Sequence, residues 1–190
     1  MEREDGTFRK VRRSVNTPGQ AHELTFSCYK RLPLLSKDRT REWFIEALDN
    51  ARQRWRFDLW AYVIMPEHAH VLLLPRLDEY DISLIVKAIK QPVARKALDY
   101  LRGSSPEWLA RLAVPTSKAQ VEHRFWQAGG GYDRNIERVS TAWNSVEYIH
   151  NNPVRRGLVS KATNWEWSSA RFYAGEGNCR LAMDGRPPNA

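Results

Sequence analysis

The stretch FDLWAYVIMPEHAHVLLLPR, residues 57–76, limits the fold more than any other part of the chain. Two β-prone runs, rich in aromatic and branched residues, meet at a short Pro-Glu link. Such runs pair as an antiparallel hairpin, with FDLWAYVIMP as one arm and HAHVLLLPR as the other. A lone hairpin is barely stable in water, so further strands or helices must cover it. The second arm carries His68 and His70 inside an otherwise apolar run. Residues two apart on a strand point to the same face. The two imidazoles therefore project side by side, like pincers. Imidazole is the commonest protein metal ligand. Two of them leave a metal underligated, so a third ligand must come from elsewhere. The competing reading is a pair of core or edge histidines bonded to backbone carbonyls. Glu67, just before the pair, is either a turn residue or one that orients it.

The flanking segments supply the rest of a small domain. ELTFSCYKR alternates, with Leu24, Phe26 and Cys28 on one side and Thr25 and Ser27 on the other, and reads as a strand. SKDRTREWFIEALDNARQRWRF reads as a helix, with Ser36, Lys37 and Asp38 as its cap region. Phe44, Ala47, Leu48 and Trp55 form its apolar stripe. DISLIVKAIKQPVARKALDYLRG reads as a second helix, closed by Gly103 and kinked or restarted at Pro92. The segment punctuated by Pro106 and Pro115 reads as a loop with one short helix around Trp108. RFWQ reads as a short strand and AGGGYD as a turn. IERVSTAWNSVEYIHNN reads as a helix that stops near Asn152, because Pro153 disfavours helix in the residue before it. NWEWSSARFYAG is an aromatic tail expected to pack back onto the domain.

The order β-α-β-β-α-β-α begins as the split βαβ plan. The expected fold is therefore α+β: a ferredoxin-like βαββαβ antiparallel sheet, an additional helix carrying Tyr148, and an aromatic C-terminal tail. One domain is expected over 21–175. A flexible basic arm, 1–20, precedes it and a flexible tail, 176–190, follows.

Charge narrows the partner. A formal net charge of +8 points to a polyanion, nucleic acid first. Lys87, Lys90, Arg95 and Lys96 in the second helix are candidates for gripping phosphates. So are Arg12 and Arg13 in the arm, and Arg155 and Arg156 after the tyrosine helix. For each of these a solvated surface is the competing reading. Cys28 and Cys179 match neither a metal spacing nor a disulfide framework. No apolar run is long enough for a bilayer, and the N-terminus lacks the apolar region of a signal peptide. A cytoplasmic protein with no membrane partner is expected. No GxxxxGK[ST] loop is present to bind a nucleotide as an energy source.

SVEYIHNNPVRRGLV is the second informative stretch. On a helix, Tyr148 and Asn152 are four apart and share a face. The Asn152 amide oxygen could act as a neutral metal ligand, with a phenol one turn away. His150, two positions from Tyr148, should point elsewhere. The competing reading is a packed tyrosine and an Asn-Pro helix stop.

Taken in order, PEHAH, FWQ…YD, EYIHNNPVRRGLV and WEWSSARFY resemble the REP-associated tyrosine transposases. These are single-tyrosine members of the HUH endonuclease superfamily, with an IS200-like transposase domain. The resemblance runs from Glu23 to Tyr173. HxH alone is a weak signal; HxH joined to YIHNNPVRRGLV is specific. The resemblance implies that His68, His70 and Asn152 hold one divalent cation, Mg²⁺ or Mn²⁺. It implies that Tyr148 attacks a DNA phosphate, leaving a 5′-phosphotyrosine and a free 3′-hydroxyl. It implies a substrate of single-stranded DNA with REP-like hairpins, in a prokaryotic nucleoid, handled by a monomer or homodimer. Two departures stand out. Residues 104–123 are long for the family and read as an insertion loop. The AGGG before Tyr132 is looser than usual, which leaves the place of the fourth strand open. Phe125, Trp126 and Tyr132 are candidates either for base stacking or for the core. A non-catalytic nucleic-acid-binding domain on the same plan is the alternative function. Histidine-triad hydrolases are a third reading, and Leu72 stands where their third histidine would be.

Overall fold

The computed structural model describes residues 15–114, 121–129, 131–177 and 179–188. In chain order the elements begin with β1 (Ala21–Ser27), α1 (Asp38–Trp55), β2 (Phe57–Ile64), β3 (His68–Pro75) and α2 (Ile82–Ser104). Next come α3 (Pro106–Arg111) and the two-residue strands β4 (Ala113–Val114) and β5 (Glu122–His123). The chain continues through β6 (Tyr132–Ile136), α4 (Val139–Arg155) and α5 (Ala170–Tyr173). β2, β3, β1 and β6 form one antiparallel sheet in that order. This is the α+β, ferredoxin-like arrangement expected from the element order.

Alternation decides what each sheet face meets. Leu24 and Phe26 of β1, with Val71 and Leu73 of β3, join α1 and α2 in one core. Ala61, Val63 and Leu72 face the other way and carry α4, which buries Ala142, Val146 and Ile149 there. Burying side chains such as Val146 and Ile149 stabilises this contact by roughly 1.5–3 kcal/mol each. β2 changes parity at Trp60. Leu59 pairs with Leu73 and Ala61 with Leu72, so Trp60 is the extra residue of a β-bulge. Trp60 and Ala61 consequently both lie on the α4 side.

The outer edge of β2 is covered by the aromatic tail. Ile64 N–H donates to the Trp167 carbonyl (2.8 Å), and Ser169 N–H donates to that of Tyr62 (3.0 Å). The Trp165 indole N–H donates to the Ile64 carbonyl (3.0 Å). An edge strand paired in this way is no longer a template for aggregation. Residues 179–188, expected to form part of a flexible end, lie against the domain. Leu181 is buried, and the Asp184 carboxylate accepts from Leu59 N–H (3.0 Å) and pairs with Arg76 (3.3 Å).

Several local expectations are corrected. The fourth sheet strand is Tyr132–Ile136, not Arg124–Gln127. Phe125 and Trp126 read as strand because they are aromatic, yet they lie outside the sheet as core anchors, the core being one of the two places expected for them. Trp126 makes one isolated bridge to Cys28, and its indole donates to the Lys90 carbonyl (2.8 Å). Tyr132 and Asp133 read as turn because an edge strand is half wet. α2 runs unbroken past Pro92 and ends beyond Gly103. Burial of Ile85, Ile89 and Val93 along one stripe holds it across the proline. α4 likewise continues through Pro153 to Arg155. Pro153 gives up the helical hydrogen bond to the Ile149 carbonyl and crowds it, and burial of Ile149, Asn152 and Pro153 itself holds the helix across it. Gly157, in the left-handed region (φ +67°), then closes the turn. The 104–123 segment holds α3 and the small β4–β5 hairpin; residues 115–120 fall outside the described set. Among the described residues no helix is long and apolar enough to cross a membrane.

Candidate active site

β3 and α4 meet over a cleft of about 840 Å³. His68 and His70 rise from the α4 side of β3, next to each other, with ring centroids 4.8 Å apart. α4 presents Ser145, Tyr148 and Asn152 to the same cleft. They share one helix face, while Ala142, Val146 and Ile149 hold the adjacent face to the sheet. The Tyr148 ring stands edge-on to His70, 5.4 Å between centroids, and is 41% exposed. The phenol is therefore open to a ligand yet beside the imidazoles. The Asn152 amide lies 3.3 Å from His70 Nε2.

Neighbouring groups decide which ring nitrogens are free. His68 Nδ1–H donates to Glu67 Oε1 (3.2 Å), because a carboxylate can only accept. With Asn152 Nδ2 donating toward His70 Nε2, the His70 proton sits on Nδ1 and goes to Thr25 Oγ1 (2.9 Å). Both Nε2 atoms thus keep a lone pair, and that of His70 faces Asn152 in the cleft. Burial keeps the rings neutral. It pushes His70 down to about 3, and the Arg31 charge, together with that of His68 whenever it is protonated, adds to the effect. His68 is also lowered, mainly by burial, against the opposing pull of Glu67.

This donor set suits a divalent cation. Neutral imidazoles whose outer nitrogens are held by a hydroxyl and a carboxylate are the usual form of histidine ligands. A half-turn of the Asn152 amide exchanges its nitrogen for its oxygen and completes two nitrogens and one oxygen. Among the described residues no cluster of three His, Cys, Asp or Glu side chains offers another site.

Arginines rim the cleft. Arg156 pairs with Glu67 (2.9 Å), and Arg155 lies over the Tyr148 ring (5.0 Å to its centroid). Arg134 stands 3.8 Å from Glu23, whose carboxylate accepts from the Ser145 hydroxyl (2.8 Å). Arg31 enters from the turn after β1. Four arginines against two carboxylates make a surface for phosphate oxygens.

The structure brings His68, His70, Tyr148, Asn152, Arg155 and Arg156 together. It does not bring Lys87, Lys90, Arg95 or Lys96 to the cleft, because α2 packs on the opposite sheet face. Lys90 donates to the Gly129 carbonyl (2.8 Å), and Lys96 pairs with Glu46 (2.5 Å). Arg12 and Arg13 fall outside the described residues. His150 turns away from the cleft and bonds the Ser169 hydroxyl (2.8 Å). Glu67 serves both as a turn residue, accepting from Cys28 N–H (2.9 Å), and as the partner of His68. Sequence reading missed Thr25, Arg31 and Arg134. Thr25 was within reach, since period two places it on the face opposite Leu24.

A family model described as IS200-like transposase matches residues 19–152. The chain belongs to that family. The matched span holds both histidines, Tyr148 and Asn152. A Haemophilus influenzae protein named as a REP-associated tyrosine transposase is 22% identical over 144 residues. That match covers 72% of this transposase chain and 76% of the relative. A solved structure of a REP-associated tyrosine transposase bound to a REP hairpin is similar in fold. The TM-score is 0.67 and the identity 18%, with 96% of this chain and 95% of that one covered.

Proposed function

We propose that this IS200-like transposase cuts and rejoins single-stranded DNA through Tyr148. One observation carries the reading: an exposed phenol stands beside two neutral imidazoles, in a cleft rimmed by arginines. His68, His70 and Asn152 would hold one Mg²⁺ or Mn²⁺. Bound there, the cation supplies Lewis-acid polarisation of the scissile phosphate. The Tyr148 oxygen forms a bond to phosphorus as the bond from phosphorus to the 3′ oxygen breaks. The phenol proton leaves to water or a base, and the departing 3′ oxygen takes up a proton. The products are a 5′-phosphotyrosine and a free 3′-hydroxyl. The covalent link keeps the energy of the broken bond, so a 3′-hydroxyl can reverse the step and rejoin strands. Arg155 holds the Tyr148 ring through a cation–π contact. Glu67 and Thr25 keep the imidazoles in register.

DNA with short hairpins is the substrate class we favour. The similar fold of a protein bound to a REP hairpin supports it. The test is incubation with labelled hairpin single-stranded DNA and Mn²⁺ or Mg²⁺. The wild-type chain should give a protein–DNA band that survives denaturation, and chelator should abolish it. Tyr148→Phe should fold and bind DNA yet give no band. Binding without a band in the wild type would leave a non-catalytic DNA-binding domain instead.

A further inference from the structure

Four arginines reach the cleft, and three have protein partners. Arg156 pairs with Glu67, Arg155 covers Tyr148, and Arg134 faces Glu23. The Arg31 guanidinium has no ion pair or side-chain hydrogen bond among the described residues. Its position is nonetheless closely set. Lys30 (φ +53°) and Arg31 (φ +57°) both sit in the left-handed region, which residues with a side chain rarely adopt. The surrounding turn enforces this. Cys28 N–H donates to the Glu67 carbonyl (2.9 Å) and Tyr29 N–H to that of Phe125 (2.8 Å). Arg31 N–H closes back on the Cys28 carbonyl (3.0 Å). Strain that the surroundings over-determine gathers where a side chain must be aimed. Glycine would relieve it at position 31, but only by giving up the guanidinium.

We propose that Arg31 is a catalytic residue that binds the non-bridging oxygens of the scissile phosphate. The inference rests on the nickase reading of the cleft. Arg31 lines the same cleft as His68, His70 and Tyr148. A phosphate held by those histidines and attacked by Tyr148 would therefore lie within its field. As the bond to the Tyr148 oxygen forms and the bond to the 3′ oxygen breaks, negative charge gathers on the non-bridging oxygens. A forked, permanently charged donor already in place answers that charge with no reorganisation. Arg31 keeps its own proton throughout and supplies hydrogen bonds only.

The test compares wild type, R31Q, R31K and K30G on two single-stranded hairpin DNAs. One carries an ordinary phosphodiester at the cleavage position, mapped from the wild-type adduct. The other carries a methylphosphonate there, which removes the negative charge. On the phosphodiester, R31Q should slow single-turnover adduct formation by roughly 10²–10³-fold, the usual cost of losing such a donor. R31K should keep more activity than R31Q, and K30G, which relaxes the turn but spares the guanidinium, should stay close to wild type. On the methylphosphonate, R31Q and wild type should converge, because no charge is left to balance. Equal losses on both linkages would make Arg31 merely structural and overturn the assignment. So would an R31Q rate equal to wild type on the phosphodiester. In that case a wild type that still forms the adduct keeps the nickase reading intact. A wild type that forms no adduct overturns both.

Discussion

Thr25→Val tests how the site is held without touching a ligand. Thr25 lies opposite His70 in the β1–β3 register, and its hydroxyl is 2.9 Å from His70 Nδ1. Valine keeps the branched shape and the strand preference, so only the hydroxyl is lost. The fold should lose one modest hydrogen bond, about 1 kcal/mol. In a domain of this size that lowers the melting temperature by about 2–4 °C. The site should suffer more. Without an acceptor at Nδ1 the imidazole can rotate or switch tautomer, and Nε2 no longer faces Asn152. Loss of such an outer partner typically weakens metal binding 10–100-fold, about 1.4–2.8 kcal/mol. Calorimetric titration with Mn²⁺ on wild type, T25V and T25S would read this directly. T25S, which keeps the hydroxyl, should stay near wild type. T25V binding Mn²⁺ within twofold of wild type, while His70→Ala loses it, would refute the positioning argument. No binding by the wild type would refute the ligand set itself.

Three further outcomes follow from particular contacts. Gly131 has φ +87°, and a Cβ there would sit 2.3 Å from the Thr25 carbonyl oxygen. Gly131→Ala should therefore peel the start of β6 from β1 and lower unfolding stability by roughly 2–5 kcal/mol; a urea midpoint equal to wild type would contradict this. Burial pushes His150 from 6.5 down to about 4 in the folded chain. Between those values the unfolded chain binds a proton that the folded one does not. The stability contribution is thus complete above about pH 6.5 and is lost as pH falls toward 4, by roughly 3 kcal/mol. Urea unfolding from pH 4.5 to 7.5 should show this slope in wild type and a shallower one in His150→Gln; matching slopes would dismiss the assignment. Arg155→Gln should weaken binding of single-stranded DNA more than K87Q, R95Q and K96Q combined, because α2 lies on the far side of the sheet. Affinities measured at two salt concentrations would check it, and the reverse ranking would move the DNA to the helical face.

Much of this fold was legible because its signals are local. Period two over β1 and β3 separated Leu24, Phe26, Val71 and Leu73 from Thr25, His68 and His70. The four-residue spacing placed Tyr148 and Asn152 on one helix face. Resemblance to a known family joined these two distant pieces. Other expectations failed where packing overrode a local rule. Prolines 92 and 153 did not end their helices, because the apolar stripes of α2 and α4 stay buried across them. The strand expected at Arg124–Gln127 did not form, and the polar YDRNI took the sheet edge, while Phe125 and Trp126 fill the core as one of their two readings had it.

The basic residues show the boundary most clearly. Composition established a surplus of positive charge, and helical periodicity placed four of the candidates on α2. Neither could say which sheet face α2 would cover. That was decided when Ile85, Ile89 and Val93 found their apolar partners, turning Lys87, Arg95 and Lys96 away from the cleft. Arg31 reached the cleft through a left-handed turn held by carbonyls of Glu67 and Phe125, which lie far along the chain. The sequence by itself determined which side chains share a strand or a helix face, since backbone geometry repeats over two or four residues. Only the tertiary structure decided which faces meet, since that depends on burying apolar stripes from distant segments against one another.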